Sequence, residues 1–595
     1  ANLARTPQAV ELELSEFAGR IPVELDGSSA FPPIGQLSYL LTLPPYGFYW
    51  FILATEAEGP SWHTPAPEPM PEYQTIVMRR SLADALAGAR NALEREILPT
   101  YLAKRRWFAA KDQTLGQVRL ALLSQLPQAD RDVLLAEIET DLAEGTARWL
   151  LPISVYWEDE PTAALPAQLA LARVRRGSRV GLLTDGFAVA SFVQAMMAGF
   201  STARCISIED GELRFEPTAR MTEVGVAPDA SINWLSAEQS NSSLIVGDAA
   251  MLKIFRHVVG GPHPEAEMGR YLTEQGFTGI PPLLGEMVRV ATDGTRHTLA
   301  VAQGFIRNQG DGWNWTLEWL LRGISGLVAE SDPGAEPGEI FDEYEAISGL
   351  LGRRLGEMHA VLARPTDDSA FAPGHVDDAT PRRWTEQVGR QVELAFDTIA
   401  AQTGWDATTG EAVARLLSLR DALPGVLRGL ARRGIGTPLI RVHGDLHLGQ
   451  TLVASGEIYI IDFEGEPARS LQERRAKASP FKDVAGVLRS FDYAAAMVQR
   501  RSRESHAHLP DARRDAFLAT FIERADAAFL TGYQAAGGMP GEIAGALIDL
   551  FLVEKVAYEV VYEAANRPTW IDVPLHGLTR LAERLVGATR QAADD

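Results

Sequence analysis

Cysteine, long apolar runs and positive charge are all scarce in this chain, and each scarcity excludes something. Cys205 is the only cysteine in 595 residues, so an intrachain disulfide framework and a cysteine-based zinc site are ruled out, and a reducing, cytoplasmic setting is expected. The most apolar stretch, 39–54, is broken by Pro44, Pro45 and Gly47 and is too short to span a bilayer. With 56 basic against 78 acidic residues the formal charge is −22, which argues against nucleic acid or an anionic membrane as a partner. No charged-then-apolar leader opens the chain, so secretion is not expected. The chain starts at Ala1 without a methionine, as a piece of a longer product would.

What is present is enough for several domains. Residues 1–55 alternate in short strand patterns between Gly and Pro turns, which predicts a small β-sandwich. Its aromatic run, Tyr46 and Phe48–Phe51, is expected mainly as strand core, with stacking on sugar rings as the alternative. Residues 56–78, rich in proline, read as a linker. Ser81 can cap a helix carrying the stripe Leu82, Leu86, Ala89 and Leu93, with an end expected at Pro99. An α+β cap is expected over 79–230.

The stretch on which function turns is 438–467. Two short β-branched runs each deliver a carboxylate, Asp445 after the first and Asp462 after the second. This spacing suits phosphoryl transfer to a hydroxyl, where one Asp takes the acceptor's proton and another holds Mg²⁺ against ATP, with an amide as a further ligand. Asp445, Asp462 and Gln450 fit those jobs.

The pattern His-Gly-Asp-x-His-x-Gly-Gln, then an apolar strand and Ile-Asp-Phe-Glu, resembles the aminoglycoside-phosphotransferase-like kinases, and within them the maltokinase branch. The resemblance implies a bilobal protein-kinase-like α+β fold behind the small all-β domain, with an N-lobe at 231–310 and a helical C-lobe at 311–595. It also implies that His443 braces the loop. Most of the superfamily has Asn at Gln450, and protein kinases have Gly at Glu464. Glu464 is expected as a further charge at the metal.

In the N-lobe, 244–246, the turn Gly247-Asp248 and 251–255 make a hairpin. Period two puts Lys253 on the apolar face of Met251 and Phe255, where it needs a partner. Pro264 opens the next helix with Glu267 in its first turn, so a Lys253–Glu267 pair holding the ATP phosphates is expected. No glycine-rich loop is present; the stretch 239–243, with Ser240 and Ser242, stands in its place over the phosphates. Gln303-Gly304-Phe305 is the expected hinge against adenine.

Beyond 311, helices are expected at 340–363, 382–403, 409–432, 516–536 and 542–566. In the last, Lys555, Glu559, Tyr562 and Asn566 share a polar face, with Trp570 beyond it suited to stacking on a pyranose. The segments 99–112, 473–495 and 558–574 also resemble maltokinases, which favours a sugar site from Glu559, Tyr562, Asn566 and Trp570, with His447 and Arg489. Residues 17–25 and 41–53 resemble the C-terminal β-domain of trehalose synthases, implying either a fused trehalose synthase–maltokinase or a docking or carbohydrate-contacting module. The expected activity is ATP- and Mg²⁺-dependent phosphorylation of maltose to maltose 1-phosphate. A glucosamine or aminoglycoside kinase, and an idle scaffold for trehalose synthase, are the alternatives.

Overall fold

The computed structural model describes residues 8–12, 14, 17, 19–24, 34, 39–43, 48–54, 73–108, 115–126, 133–143, 145–160, 164–227, 229–235, 241–329, 338–467, 469–505, 509–539 and 541–594. Ser240, Lys111 and linker residues 56–72 lie outside them. The chain divides into two compact units, Ala1–Gln74 and Thr75–Asp595.

In the first unit Gln8–Leu12 pairs antiparallel with Tyr39–Leu43, and Ile21–Glu24 with Phe51–Ala54. Val10, Leu14, Phe17, Phe51 and Leu53 gather on buried Ile34. The aromatic run is only partly core. Phe51, which opens its strand, packs inward, whereas Phe48 and Trp50 before the strand are 56% and 69% exposed, and Tyr46 lies outside the described residues.

The second unit has the expected bilobal α+β build. The cap sheet runs Thr75–Val77, Ala170–Arg176, Arg179–Asp185, Gly145–Trp157, Val133–Leu142, Val118–Leu126. Its helical cover starts as expected, with the Ser81 hydroxyl accepting the Asp84 N–H. It does not stop at Pro99. A π-helical turn, Leu93–Ile97, precedes Leu98–Ala103, and Pro99 sits in the first turn of that helix, where its missing N–H costs no intrahelical bond.

The N-lobe sheet is larger than expected. Its order is Cys205–Ile208, Gly211–Pro217, Leu283–Val290, Arg296–Gly304, Ala250–Phe255, Asn241–Val246, Ile232–Trp234. A boundary at 230 would therefore cut two strands from this sheet. The hairpin turn is as read, with Gly247 and Asp248 both at positive φ.

Cap and N-lobe are joined by a strand pair, His257–Val258 on Gly145–Trp157, and by two ion pairs. Arg256 meets Asp185 at 2.7 Å and Arg289 meets Glu137 at 2.6 Å, every partner at most 2% exposed. Arg256 also lies over the rings of Trp107 and Phe187.

The C-lobe packs the helices Gly312–Ala329, Gly338–Leu362, Thr380–Ala401, Phe481–Ser505, Asp511–Ala535, Glu542–Asn566 and Asp572–Asp594 around one apolar core. The segment expected as a single helix at 409–432 is two, Ala407–Ser418 and Leu423–Arg432, with Pro424 opening the second.

Removing one member of a buried ion pair strands the other. Asp185→Ala should therefore cost about 3–5 kcal/mol, read as a lowered urea midpoint, and an unchanged midpoint would show that the pair does not hold cap to N-lobe.

Candidate active site

The loop after Arg441 is shaped from below by one buried carboxylate. Asp483, in the first turn of Phe481–Ser505, accepts the N–H of His443 at 2.8 Å and of Gly444 at 2.9 Å. Its Oδ2 also meets Nε2 of buried His359, whose Nδ1 lies 3.0 Å from the Tyr533 hydroxyl. Burial alone would raise the Asp483 carboxyl, but the His359 hydrogen bond and charge, and the loop amides, outweigh it and hold the carboxyl low.

His443 braces the loop, as expected. Its Nε2 donates to the Ile461 carbonyl at 2.8 Å, which leaves Nδ1 to accept the Asp445 N–H at 3.3 Å. One ring thus ties the residue before Asp462 to Asp445. Asp462 itself adopts φ +65°, an uncommon conformation for a side chain other than glycine, and aims its carboxylate at the N-lobe.

Lys253 meets that carboxylate at 2.7 Å and Glu464 at 2.6 Å. Burial pulls the ammonium's pKa down, but Glu265, Glu464 and Asp462 outweigh it and hold it well above the usual lysine range. The expected partner, Glu267, is not on Lys253. It bridges Arg441 and Arg475, each at 2.6 Å. Helix geometry explains the difference: two residues apart means about 200° of rotation, so Glu265 turns into the site and Glu267 away. Glu265 is 1% exposed and accepts from Gln303 Nε2 at 2.8 Å. Burial raises its carboxyl above the usual range despite Lys253 nearby.

Ser242 does not face the phosphate side as expected: it faces the cap, accepting Arg256 Nε at 2.8 Å. Its neighbour Asn241 faces the site, donating to Glu464 at 2.6 Å. Strand alternation makes both true at once. In the expected hinge the Gln303 side chain braces Glu265, and the Phe305 N–H is donated to the Ala249 carbonyl at 2.9 Å, which takes that one backbone donor.

Asp462, Gln450 and Glu464 make an all-oxygen donor set, and the Asp462 and Gln450 side chains share a hydrogen bond. Among the described residues no three His, Cys, Asp or Glu side chains gather as a metal cage. Two carboxylates and an amide oxygen are donors that suit Mg²⁺, which takes one or two carboxylates and completes its shell with water and phosphate oxygens.

On the other side of Asp445 lies a cavity of about 300 Å³. Trp384, Gln387 and Gln391 line it from one helix, and Phe551, Glu554, Lys555 and Tyr558 from another. Lys555 Nζ sits 3.2 Å from Asp445 Oδ1. This is not the face expected from sequence. Residues 551, 554, 555 and 558 stand at i, i+3, i+4 and i+7, whereas the line 559–562–566 rotates away. Glu559 instead pairs with buried Arg489 at 2.7 Å. Tyr562 and Asn566 are exposed, with Asn566 Nδ2 donating to the Tyr562 carbonyl. Trp570 lies against the Arg500 and Arg567 guanidinium groups, 4.8 and 5.9 Å from ring centre. His447 does not line the cavity; its Nδ1 accepts the Gly449 N–H at 3.0 Å as a turn cap.

Asp483 and Glu265 each stand in a helix's first turn, an ordinary place for an acid, so that position was their only signal in the sequence. Trp384, Gln387 and Gln391, over fifty residues upstream of Asp445, carry no such signal.

Three family models match. Residues 233–518 match the phosphotransferase enzyme family, 101–188 the maltokinase N-terminal cap domain, and 1–50 the maltogenic amylase C-terminal domain. A glucosamine kinase of Mycolicibacterium smegmatis is 29% identical over 357 residues, 59% of this chain and 79% of that protein. The trehalose synthase/amylase TreS of the same organism is 64% identical over 52 residues, 9% of each chain. A glucosamine kinase solved with glucosamine, ADP and inorganic phosphate superposes with TM-score 0.56 at 21% identity, over 85% of this chain and 100% of that one. The fold is thus kinase-like.

The two glutamates can be separated. Glu267→Gln strands Arg441, so it should lower stability by about 3 kcal/mol at pH 7 while leaving KM for ATP unchanged. Although burial pushes the Glu267 carboxyl up, Arg475 and Arg441 bring it below its usual value. Its contribution is therefore complete above the unfolded value of about 4.3 and fades as pH falls through the folded one. The gap between wild type and variant should close in acid. Glu265→Gln should instead raise KM for ATP about tenfold, the worth of ~1.4 kcal/mol. The opposite pattern in steady-state kinetics and urea melts would restore Glu267 as the partner of Lys253.

Proposed function

Because residues 233–518 form a phosphotransferase-family domain and a maltokinase-type cap precedes them, we propose that the chain transfers the γ-phosphoryl group of ATP to the anomeric hydroxyl of maltose, giving maltose 1-phosphate and ADP. The observation that carries the transfer is the position of Asp445, between a sugar-sized cavity and the Lys253, Asp462 and Gln450 side chains.

Asp445 takes the acceptor proton as the hydroxyl oxygen bonds to the γ-phosphorus and the bond to the β-phosphate oxygen breaks. Lys253 turns from Asp462 and Glu464 to the phosphate oxygens, with Glu265 behind it. Asp462, Gln450 and Glu464 would hold Mg²⁺, which would supply charge neutralisation at the phosphates. Asn241 and the strand it sits on close over the phosphates from above.

The cap and the trehalose synthase-like segment support maltose as acceptor and a link to trehalose synthase, fused or associated. A cytoplasmic setting belongs to the same proposal, and no helix of the described residues is long and apolar enough to cross a membrane. A second reading, glucosamine as acceptor, is favoured by the glucosamine kinases among the relatives.

ADP release with ATP, Mg²⁺ and maltose, glucose, glucosamine or kanamycin separates the readings: maltose should give the highest kcat/KM, and a preference for glucosamine would overturn it. With the preferred sugar, Asp445→Asn should lower kcat about 10²–10⁴-fold. Near-normal turnover in that variant would remove Asp445 as the base.

A further inference from the structure

We propose that Lys555 sets the charge specificity of the acceptor cavity: it occupies the base's carboxylate from the sugar side, so that the site accepts neutral sugars and rejects those with an ammonium group beside the reacting hydroxyl. The inference rests on the reading of the Asp445 cavity as the acceptor site.

Lys555 is the side chain that meets Asp445 across the cavity, with Nζ 3.2 Å from Oδ1. It is fixed from behind. Glu559 lies one helical turn on and is held by Arg489, itself 2% exposed, through an ion pair at 2.7 Å. Arg489 in turn meets Asp492 at 3.2 Å. The ammonium is therefore part of a braced polar row that runs from the base into the C-lobe, and not a free surface lysine.

The rest of the lining offers a cation no alternative seat. Among the described residues around the cavity there are five basic side chains and four carboxylates. Asp445 holds Lys555, Glu466 holds Arg469 at 2.6 Å, and Glu554 holds Lys482 at 3.2 Å while also accepting from Gln387. Glu473 closes a capping box with Ser470. An incoming ammonium would have to displace one of these partners, and it would do so beside a like charge in a partly dry site. A hydroxyl in the same place can accept from Lys555 and donate to Asp445 together. In the proposed pose, with the anomeric hydroxyl on Asp445, the substituent on the next carbon lies beside that hydroxyl and so beside the Lys555–Asp445 pair. Glucose and glucosamine differ there by one neutral-to-cationic exchange, which isolates the effect.

The test measures affinities of the full chain for glucose and for glucosamine at pH 7 by saturation-transfer NMR, with wild type, Lys555→Met and Lys555→Arg. Wild type should bind glucose at least about tenfold more tightly than glucosamine. Lys555→Met should shrink or reverse that ratio, and Lys555→Arg, which keeps the charge, should preserve it. A wild type that prefers glucosamine, or a ratio unmoved in Lys555→Met, overturns the inference. If Lys555→Met binds neither sugar, Lys555→Arg decides: a kept preference upholds the role of charge, and a lost one refutes it. Because binding is read without turnover, failure here is distinct from failure of maltose to be phosphorylated.

Discussion

The carboxylate of Asp483 is the constraint on which the site depends. A turn that carries Asp445 in one direction and leaves His443 free to reach Ile461 exposes backbone N–H groups to the interior, and unsatisfied donors there are expensive. Asp483 takes two of them and is itself oriented by His359, so three separate elements agree on one loop conformation. From there the His443 ring fixes the distance between the two aspartates that a phosphoryl transfer must straddle. Asp483, His359 and His443 themselves do not line the cavity, while Gly444 and Asp445, which they hold, do.

Much of the architecture was legible because it is written in short-range pattern. The hairpin at 244–255, the face of Lys253, the capped helix after Ser81 and the helix 542–566 all follow from periods of two and 3.6, though the first strand of that hairpin starts earlier, at Asn241. The misreadings share a physical cause. Pattern says which residues lie on one side of an element, but not how the element is rotated against its neighbours. Glu265 and Glu267 are both acids in one first turn, and only packing against Gln303 or Arg441 distinguishes them. Ser242 and Asn241 are adjacent and polar, and the cap decides which of them looks at the nucleotide side. The same holds for the sugar face: its line of polar residues was correctly helical, yet the cavity belongs to the neighbouring stripe because the helix Thr380–Ala401 packs there. The expected stop at Pro99 failed differently, since a π-turn lets the chain re-enter a helix with proline in its first turn.

The cap is coupled to the site through a single strand. Ser242 is bonded to Arg256, whose guanidinium is locked to Asp185 of the cap, while Asn241 reaches Glu464 on the metal-binding side. Because successive side chains leave a strand on opposite faces, Asn241–Val246 carries the cap contact on one face and the Glu464 contact on the other. That gives the cap a structural link to the phosphotransfer domain, beyond covering its sheet.

The acceptor side is built on different principles from the nucleotide side. Lys253, Asp462 and Glu464 form a cluster whose charges must be redistributed when phosphates arrive, so its present ion pairs are provisional. Around the cavity the carboxylates are already matched with cations or caps, and Gln387, Gln391, Trp384, Phe551 and Tyr558 are among the side chains that complete the wall. A set of matched charges is indifferent to a neutral polyhydroxylated ring but costly to a charged one, because any new ion must break an existing pair. The chemistry that moves phosphate and the chemistry that selects the acceptor can therefore change independently, and they meet at one atom pair, Lys555 Nζ and Asp445 Oδ1.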